Sequence, residues 1–435
     1  MNSSGLAAET GDVSPSLRWY RTLSRVQWNT LLASNLGWLF DGFETYALIL
    51  TVGVAMQQLL PPALHPQIPA YAGTVIALTL LGWGIGGMIG GVLADYIGRK
   101  RMMIIAVLAY SLTTGLSAFS FDWMSFAFLR FLVGVAVGSE WATGSSMVAE
   151  LWPNRARGKG AGLMQCGLGI GFFLASLVWL FVSPLGADAW RYMYLIGVVP
   201  ALLTLWIRRA IPESEVWKKA AARRRSEQAP FTLFDLFADR TLRQQTLVVF
   251  LMSLTSTVGF WAISTWVPPF VGGVAAAAGL NAGEWVSYAG MAYTFGSVVG
   301  YISLGFLADR YGRKPITIAF FACALLLTPV LFFWTREPAL LLLVVCVNAV
   351  FSSGQFTWMP AWLPELYPTR MRATALAFAF NGPRFIAFLG PLVAGTLIVQ
   401  FGGYGQAAMM FALIYIVGIA SAPFLPETVG KPLPA

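Results

Sequence analysis

One short charged signature is written twice in this chain. Gly91-Val-Leu-Ala-Asp95-Tyr-Ile-Gly98-Arg99-Lys100 returns as Gly305-Phe-Leu-Ala-Asp309-Arg-Tyr-Gly312-Arg313-Lys314. The spacing is constant: 305 − 91, 309 − 95, 312 − 98 and 313 − 99 all equal 214. Gly82 and Gly86, ahead of the first copy, recur as Gly296 and Gly300. A second block, Glu150-Leu-Trp-Pro153-Asn-Arg155-Ala-Arg157, returns 215 residues on as Glu365-Leu-Tyr-Pro368-Thr-Arg370-Met-Arg372. A third, Pro212-Glu213, returns as Pro426-Glu427. Repetition at a fixed long period constrains architecture ahead of any local motif. Two homologous halves are expected.

Composition says where the halves reside. The chain is 57% hydrophobic and 11% charged, with a mean hydropathy of +0.68. A soluble domain carries about a quarter charged residues, so this inventory cannot build a water-facing surface. A bilayer-crossing helix needs about 20 apolar residues. Twelve such runs are legible, at 29–56, 71–94, 100–120, 123–150, 158–184, 189–208, 244–271, 283–308, 315–334, 338–365, 371–400 and 404–424. Six fall in each half. The expected fold is all-α, with twelve transmembrane helices in two six-helix bundles related by a pseudo-two-fold along the membrane normal.

Of 28 Lys and Arg, two lie inside spans (Arg130, Arg384) and two in the turns opposite (Arg191, Arg336). The other 28 − 4 = 24 cluster before the first span, in every second loop, or at the C-terminus. The positive-inside rule then puts both termini in the cytoplasm, for a multi-pass protein of the cell (inner or plasma) membrane. The expected divisions are a cytoplasmic segment 1–28, bundles 29–208 and 244–424, a basic linker 209–243 and a cytoplasmic tail 425–435. The linker is expected to hold a short amphipathic helix around 231–237, drawn to anionic lipid. No signal peptide is expected, because 1–17 is polar and the first apolar run is too long. Cys166, Cys323 and Cys346 lie inside apolar runs, which suits reduced thiols. The net charge of +9 is a topology signal, and nothing resembles a nucleic-acid surface.

Asp95 and Asp309 end the second and eighth spans. A helix C-terminus already carries partial negative charge, so a carboxylate there needs a cation or another helix's N-terminus. Gly91, Asp95, Gly98, Arg99, Asp309, Gly312 and Arg313, with Glu150, Arg157, Glu365 and Arg372, are therefore read as a latch between bundles. It would form in one state and break in another.

These motifs resemble the major facilitator superfamily over nearly the whole chain. Arg130-xxx-Gly134-xxx-Gly138 is similar to that superfamily's fourth-helix motif. Asp41-Gly42-Phe43-Glu44, Gly138-Ser-Glu140-Trp141, Trp266-Val-Pro268 and Arg384 resemble the metabolite:proton symporters for sialate, lactate and aromatic acids. Position 44 is Glu where aromatic-acid symporters usually carry Asp. The Gly-Pro pattern of drug antiporters is missing from Gly162-Leu-Met-Gln165-Cys-Gly167. The resemblance implies alternating access, proton coupling and a role for Arg130 in it.

Five ionisable residues lie well inside spans: Asp41, Glu44, Arg130, Glu140 and Arg384. Facing lipid, each would cost at least about 2.5–3.5 kcal/mol, so each should face a cavity or a partner. Asp41 and Glu44, three apart, share a helix face. Either could carry the proton, or be held in a structural ion pair. Arg130 couples protons or snorkels. Glu140, ten residues on, lies too far round the helix to pair with Arg130, and gates or couples. Arg384, between Asn381-Gly-Pro383 and Gly390-Pro391, suits bidentate capture of a carboxylate; the alternative is a fixed bridge to Asp41 or Glu44. Asn381, Gln355, Trp358, Trp266 and Gln165 complete the candidate substrate set.

No catalytic triad, metal cluster or nucleotide loop appears, so an enzyme is not expected, nor any cofactor or bound metal. The expected activity is proton-driven import of a small organic acid anion by a protein acting as a monomer. Alternatives are a carrier of a neutral sugar or other metabolite, an exporter, and a nutrient sensor that does not transport.

Overall fold

A computed structural model describes residues 19–227, 232–389, 400–401 and 403–434, and every regular element among them is helical. The elements that matter here are α1 (Arg25–Leu59), α2 (Ile68–Ile97), α3 (Arg99–Ser117), α4 (Trp123–Gly138), α5 (Glu140–Leu151), α6 (Arg157–Val182), α7 (Ala189–Ile196) and α8 (Pro200–Ala210). The linker holds α9 (Glu215–Glu227) and α10 (Thr232–Asp235). The second half runs through α11 (Arg240–Ala277), α12 (Ala282–Tyr311), α13 (Arg313–Pro329), α14 (Pro338–Ser352), α15 (Trp358–Leu366), α16 (Arg372–Asn381), α17 (Arg384–Ala387), α18 (Tyr404–Ala412) and α19 (Ile414–Ser421).

Among the described residues, nine helices are long and apolar enough to cross a membrane. Three of the twelve expected spans differ, each for a local reason. The third, α3, opens on Arg99-Lys100-Arg101, which lowers its hydropathy. The sixth is divided into α7 and α8, with Pro200 starting the second piece. The eleventh begins as α16 and α17, and its residues 390–399, with Gly390 and Pro391, lie outside the described set.

The fourth and tenth spans are both interrupted. Ser139 separates α4 from α5, and a 3₁₀ turn, Gly354–Thr357, precedes α15. Since 139 + 215 = 354, the interruption is duplicated with the sequence. Helix pairing repeats as well. Within the halves α2 packs on α4 and α12 on α14; between them α16 packs on α2 and α6 on α12. The duplicated glycines permit the first kind: a Cβ on Gly86 would lie 1.8 Å from the Val135 carbonyl oxygen, and one on Gly300 2.1 Å from that of Val350.

The linker differs from expectation. Its longer helix is α9, rich in Ala, Lys, Arg and Glu and so strong in intrinsic helix propensity; the segment around 231–237 supplies only α10.

Candidate functional site

Charge meets charge at two levels of this molecule. The first level is the end where the duplicated loops lie. Asp95 Oδ2 accepts from the Thr374 backbone N–H at 2.8 Å and from its hydroxyl at 2.6 Å, at the start of α16. Asp309 does the same for α6, accepting from the Gly158 and Lys159 N–H groups at 2.9 Å each. Each acid thus ends one half's helix and caps a helix of the other half, where the partial positive charge favours it. Arg99 and Arg313 sit one turn on and pair with Asp95 and Asp309 at 2.8 Å each.

Two further acids join the halves. Glu150 Oε1 accepts Arg99 at 3.3 Å and, across the halves, Arg372 at 3.0 Å. Glu365 Oε1 accepts Arg313 at 2.9 Å and, across the halves, Arg157 at 2.9 Å. Arg157 and Arg372 each donate also to the backbone carbonyl eight residues earlier, Ala149 at 3.2 Å and Pro364 at 3.0 Å. Asp95, Glu150, Glu365 and the four arginines are buried, and Asp309 is partly buried. The latch residues read from the repeat therefore meet in one network.

The third duplicated block supports it from outside. Gly98 and Gly312 both adopt φ +107°, a conformation that only glycine takes without strain, and each precedes a helix whose first N–H groups need acceptors. Glu213 accepts from Arg99 N–H at 3.0 Å and Lys100 N–H at 3.2 Å. Glu427 accepts from Arg313 N–H and Lys314 N–H at 3.0 Å each. Partial burial pushes the Glu427 carboxyl up, but N–H groups from Arg313, Lys314, Thr428 and Val429 outweigh it and hold it below the ordinary glutamate value. Glu213, Glu427, Thr374 and Lys159 carry this architecture and were not singled out as sites from the sequence. The signal for the two glutamates was present in the repeated Pro-Glu.

The second level is mid-span. Glu44 Oε2 meets Arg130 Nη1 at 3.3 Å, and the Arg130 guanidinium lies 5.0 Å from the centre of the Tyr194 ring. Asp41, three residues away, is fully buried with no hydrogen-bond donor to either oxygen among the described residues. Glu140 opens α5, and its carboxylate lies against the bare backbone at Gly37 of α1.

Arg384 is 4% exposed and has no carboxylate within ion-pair distance among the described residues. Its guanidinium donates to the Phe380 carbonyl and lies between two rings, 4.5 Å from the centre of Trp83 and 4.0 Å from that of Phe380. Trp38, Gln165, Phe172, Phe260 and Trp261 are among the side chains that enclose the space beside it. That space, about 20 Å³, holds roughly one water. Trp141 stacks on Phe380 at 3.9 Å and donates to Gln165 Oε1 at 3.1 Å.

Of the candidate substrate residues, Arg384 and Gln165 line this space together. Gln355 and Trp358 instead bond to Ser256, at 3.3 Å to its carbonyl and 2.9 Å to its hydroxyl respectively. Asn381 donates to the Ala377 carbonyl at 3.0 Å and packs on Gly87; Trp266 packs on Phe411. Trp83 and Phe380, the two rings that flank Arg384, were not found from sequence. Aromatics are so common in membrane helices that composition alone does not separate them.

The Major Facilitator Superfamily model matches residues 36–303 and 274–434. The chain is 30% identical over 418 residues to the "Probable 4-methylmuconolactone transporter" of Cupriavidus pinatubonensis, covering 95% of this chain and 93% of that one. It is 26% identical over 422 residues to the sialic acid transporter NanX of Escherichia coli, 96% of each chain being covered. To the gentisate transporter of Corynebacterium glutamicum it is 28% identical over 402 residues, covering 90% and 88%. Its fold matches the proton:xylose symporter XylE with a TM-score of 0.78 at 20% identity, over 94% of this chain and 98% of that one. These matches, the duplicated latch and the two halves agree: the chain belongs to the Major Facilitator Superfamily and is a membrane transporter.

Proposed function

We propose that the protein imports a small organic acid anion together with a proton, across the cell membrane, with the latch end facing the cytoplasm. One observation carries the substrate class. Arg384 is a buried cation with no acidic partner among the described residues, beside an enclosed, aromatic-walled space. A buried charge is costly until it is paired, and a carboxylate fits the planar guanidinium fork with two parallel bonds. A neutral sugar would leave that charge uncompensated. The flat rings of Trp38, Trp83 and Phe380 favour a planar or unsaturated acid, and Gln165 offers a hydrogen-bonding group for a substituent. Relatives whose names specify gentisate, benzoate and muconate transport support the same class.

Proton coupling is supported by the acids of α1 and α5 at the same level. The latch, formed across both halves, closes the basic end in this conformation. In the proposed cycle a proton enters first, the anion docks on Arg384, and the latch then parts to release both into the cytoplasm.

The test is binding of benzoate, gentisate, cis,cis-muconate and sialate to purified protein, each beside its neutral amide or sugar analogue where one exists. Arg384→Ala should cost about 2–5 kcal/mol, a loss of 30-fold or more, for whichever acid binds. Arg384→Lys keeps the charge but loses the fork and should fall between. Wild-type affinity in Arg384→Ala would place the carboxylate elsewhere.

A further inference from the structure

We propose that the cavity between the start of α3 and the linker helix α9 binds the headgroup of an anionic phospholipid, whose acyl chain lies along α3. The inference rests on membership of a membrane transporter family and is independent of the symport reading.

The cavity, about 870 Å³, is the size of a small-molecule site and lies beside the latch. Three cations line it, Lys100 and Arg101 from α3 and Lys218 from α9. Glu213 also lines it, but its Oε1 already accepts from the Arg99 and Lys100 N–H groups. Glu215 pairs with Lys218 at 2.7 Å; both side chains are at least half exposed, and such a pair contributes little. The positive charge that remains favours a phosphodiester.

One wall is fixed in place. The Trp217 indole N–H donates to the Asp95 carbonyl at 2.9 Å, and its ring covers Gly98, where a Cβ would stand 3.2 Å from it. α9 is thereby held against the loop that opens α3. Ile104 lines the cavity, and onward from it Ile105, Leu108, Leu112 and Leu116 form an exposed apolar row on α3. On a membrane helix such a row faces lipid. A headgroup seated in the cavity stands where its acyl chain can follow that row, an advantage that a free phosphate lacks.

The second half does not repeat this arrangement. At an offset of 214, Lys100, Ile104 and Glu213 recur as Lys314, Ile318 and Glu427, but Arg101, Trp217 and Lys218 become Pro315, Lys431 and Pro432. There Lys314 Nζ donates to the Pro423 carbonyl at 2.9 Å and Lys431 Nζ to that of Glu427 at 2.7 Å. The site therefore belongs to residues that only the first half carries.

The test is native mass spectrometry of purified full-length protein, titrated in detergent with phosphatidylglycerol or phosphatidylcholine. Wild type should bind a single phosphatidylglycerol about tenfold more tightly than phosphatidylcholine, or better. Arg101→Gln and Lys218→Gln should each weaken that binding about fivefold, the share of one cation at a membrane surface. Arg101→Lys keeps the charge and should keep the affinity. Arg310→Gln removes an exposed cation from the corresponding loop of the second half and should leave binding unchanged. Thermal unfolding in phosphatidylcholine certifies that the variants fold; if Arg101→Gln fails there, Lys218→Gln decides. Equal affinity for the two lipids, or an equal loss in Arg310→Gln, would overturn the site in favour of diffuse attraction. Displacement of the lipid by soluble glycerophosphate at matched concentration would overturn the lipid as its occupant.

Discussion

At the latch end, Glu150 and Glu365 each accept two arginines, one from either half, and Asp95 and Asp309 each cap a helix of the opposite half. At mid-span, Arg384, Asp41 and Glu140 have no counter-ion among the described residues. The latch charges are duplicated in sequence. The mid-span charges are not: at an offset of 214, Asp41 corresponds to Thr255 and Arg130 to Val344, and at 215 Glu140 corresponds to Gln355 and Arg384 to Gly169. In the proposed cycle the symmetric charges serve a motion that both halves share, while charges confined to one half are free to specialise, and those left without partners are the ones proposed to meet cargo and proton. Glu44 and Arg130 stand between these classes, unduplicated yet paired.

That intermediate pair offers the largest expected effect. Removing one partner leaves a buried unpaired charge, so Arg130→Met alone should destabilise by about 3–5 kcal/mol. Arg130→Met with Glu44→Gln should recover much of the loss, as read from thermal unfolding in detergent. Equal stability of the single and double variants would move Glu44 into the unpartnered class. Next come the latch acids. Asp95→Asn and Asp309→Asn each weaken charge-assisted bonds, worth about 1.5–3 kcal/mol apiece, and should slow transport by about tenfold or more with substrate affinity kept. The two should be comparable, because both acids hold a helix N-terminus and an arginine. A fall in affinity instead of rate would show the two levels to be one site.

The smallest effect is at the supporting caps. Glu427→Ala should cost about 1 kcal/mol, the usual value of a lost cap. The Glu427 carboxyl is held below its ordinary value, so its contribution is complete above the unfolded-state pKa, near 4.5, and is lost as pH falls through the lower folded value. The wild type and Glu427→Ala should therefore converge in stability as the pH drops well below 4.5. A gap that persists there would assign the effect to packing.

The fold was legible because a 214-residue repeat and twelve apolar runs survive any error in a single boundary. The latch was legible for the same reason: Asp95 and Asp309 at helix ends demand partners, and Arg99, Arg313 and the N-termini of α16 and α6 supply them. What could not be read was pairing without periodicity. Asp41 and Glu44 look alike in sequence, and only the approach of α4 to α1 gives Arg130 to Glu44 and leaves Asp41 without a donor among the described residues. Gly37 was invisible, since its purpose is the space it leaves. Trp83 and Phe380 were hidden among 31 Phe and 17 Trp.

The most direct measurement is proton movement driven by the anion alone. Proteoliposomes with a pH-sensitive dye outside, and no imposed gradient, are given each acid of the panel in turn. Import of an anion with its proton predicts that wild-type protein raises the external pH for at least one acid, and that Arg384→Ala and Asp41→Asn abolish the signal. Wild-type alkalinisation by Arg384→Ala would contradict the claim that the unpartnered charges at mid-span carry the cargo.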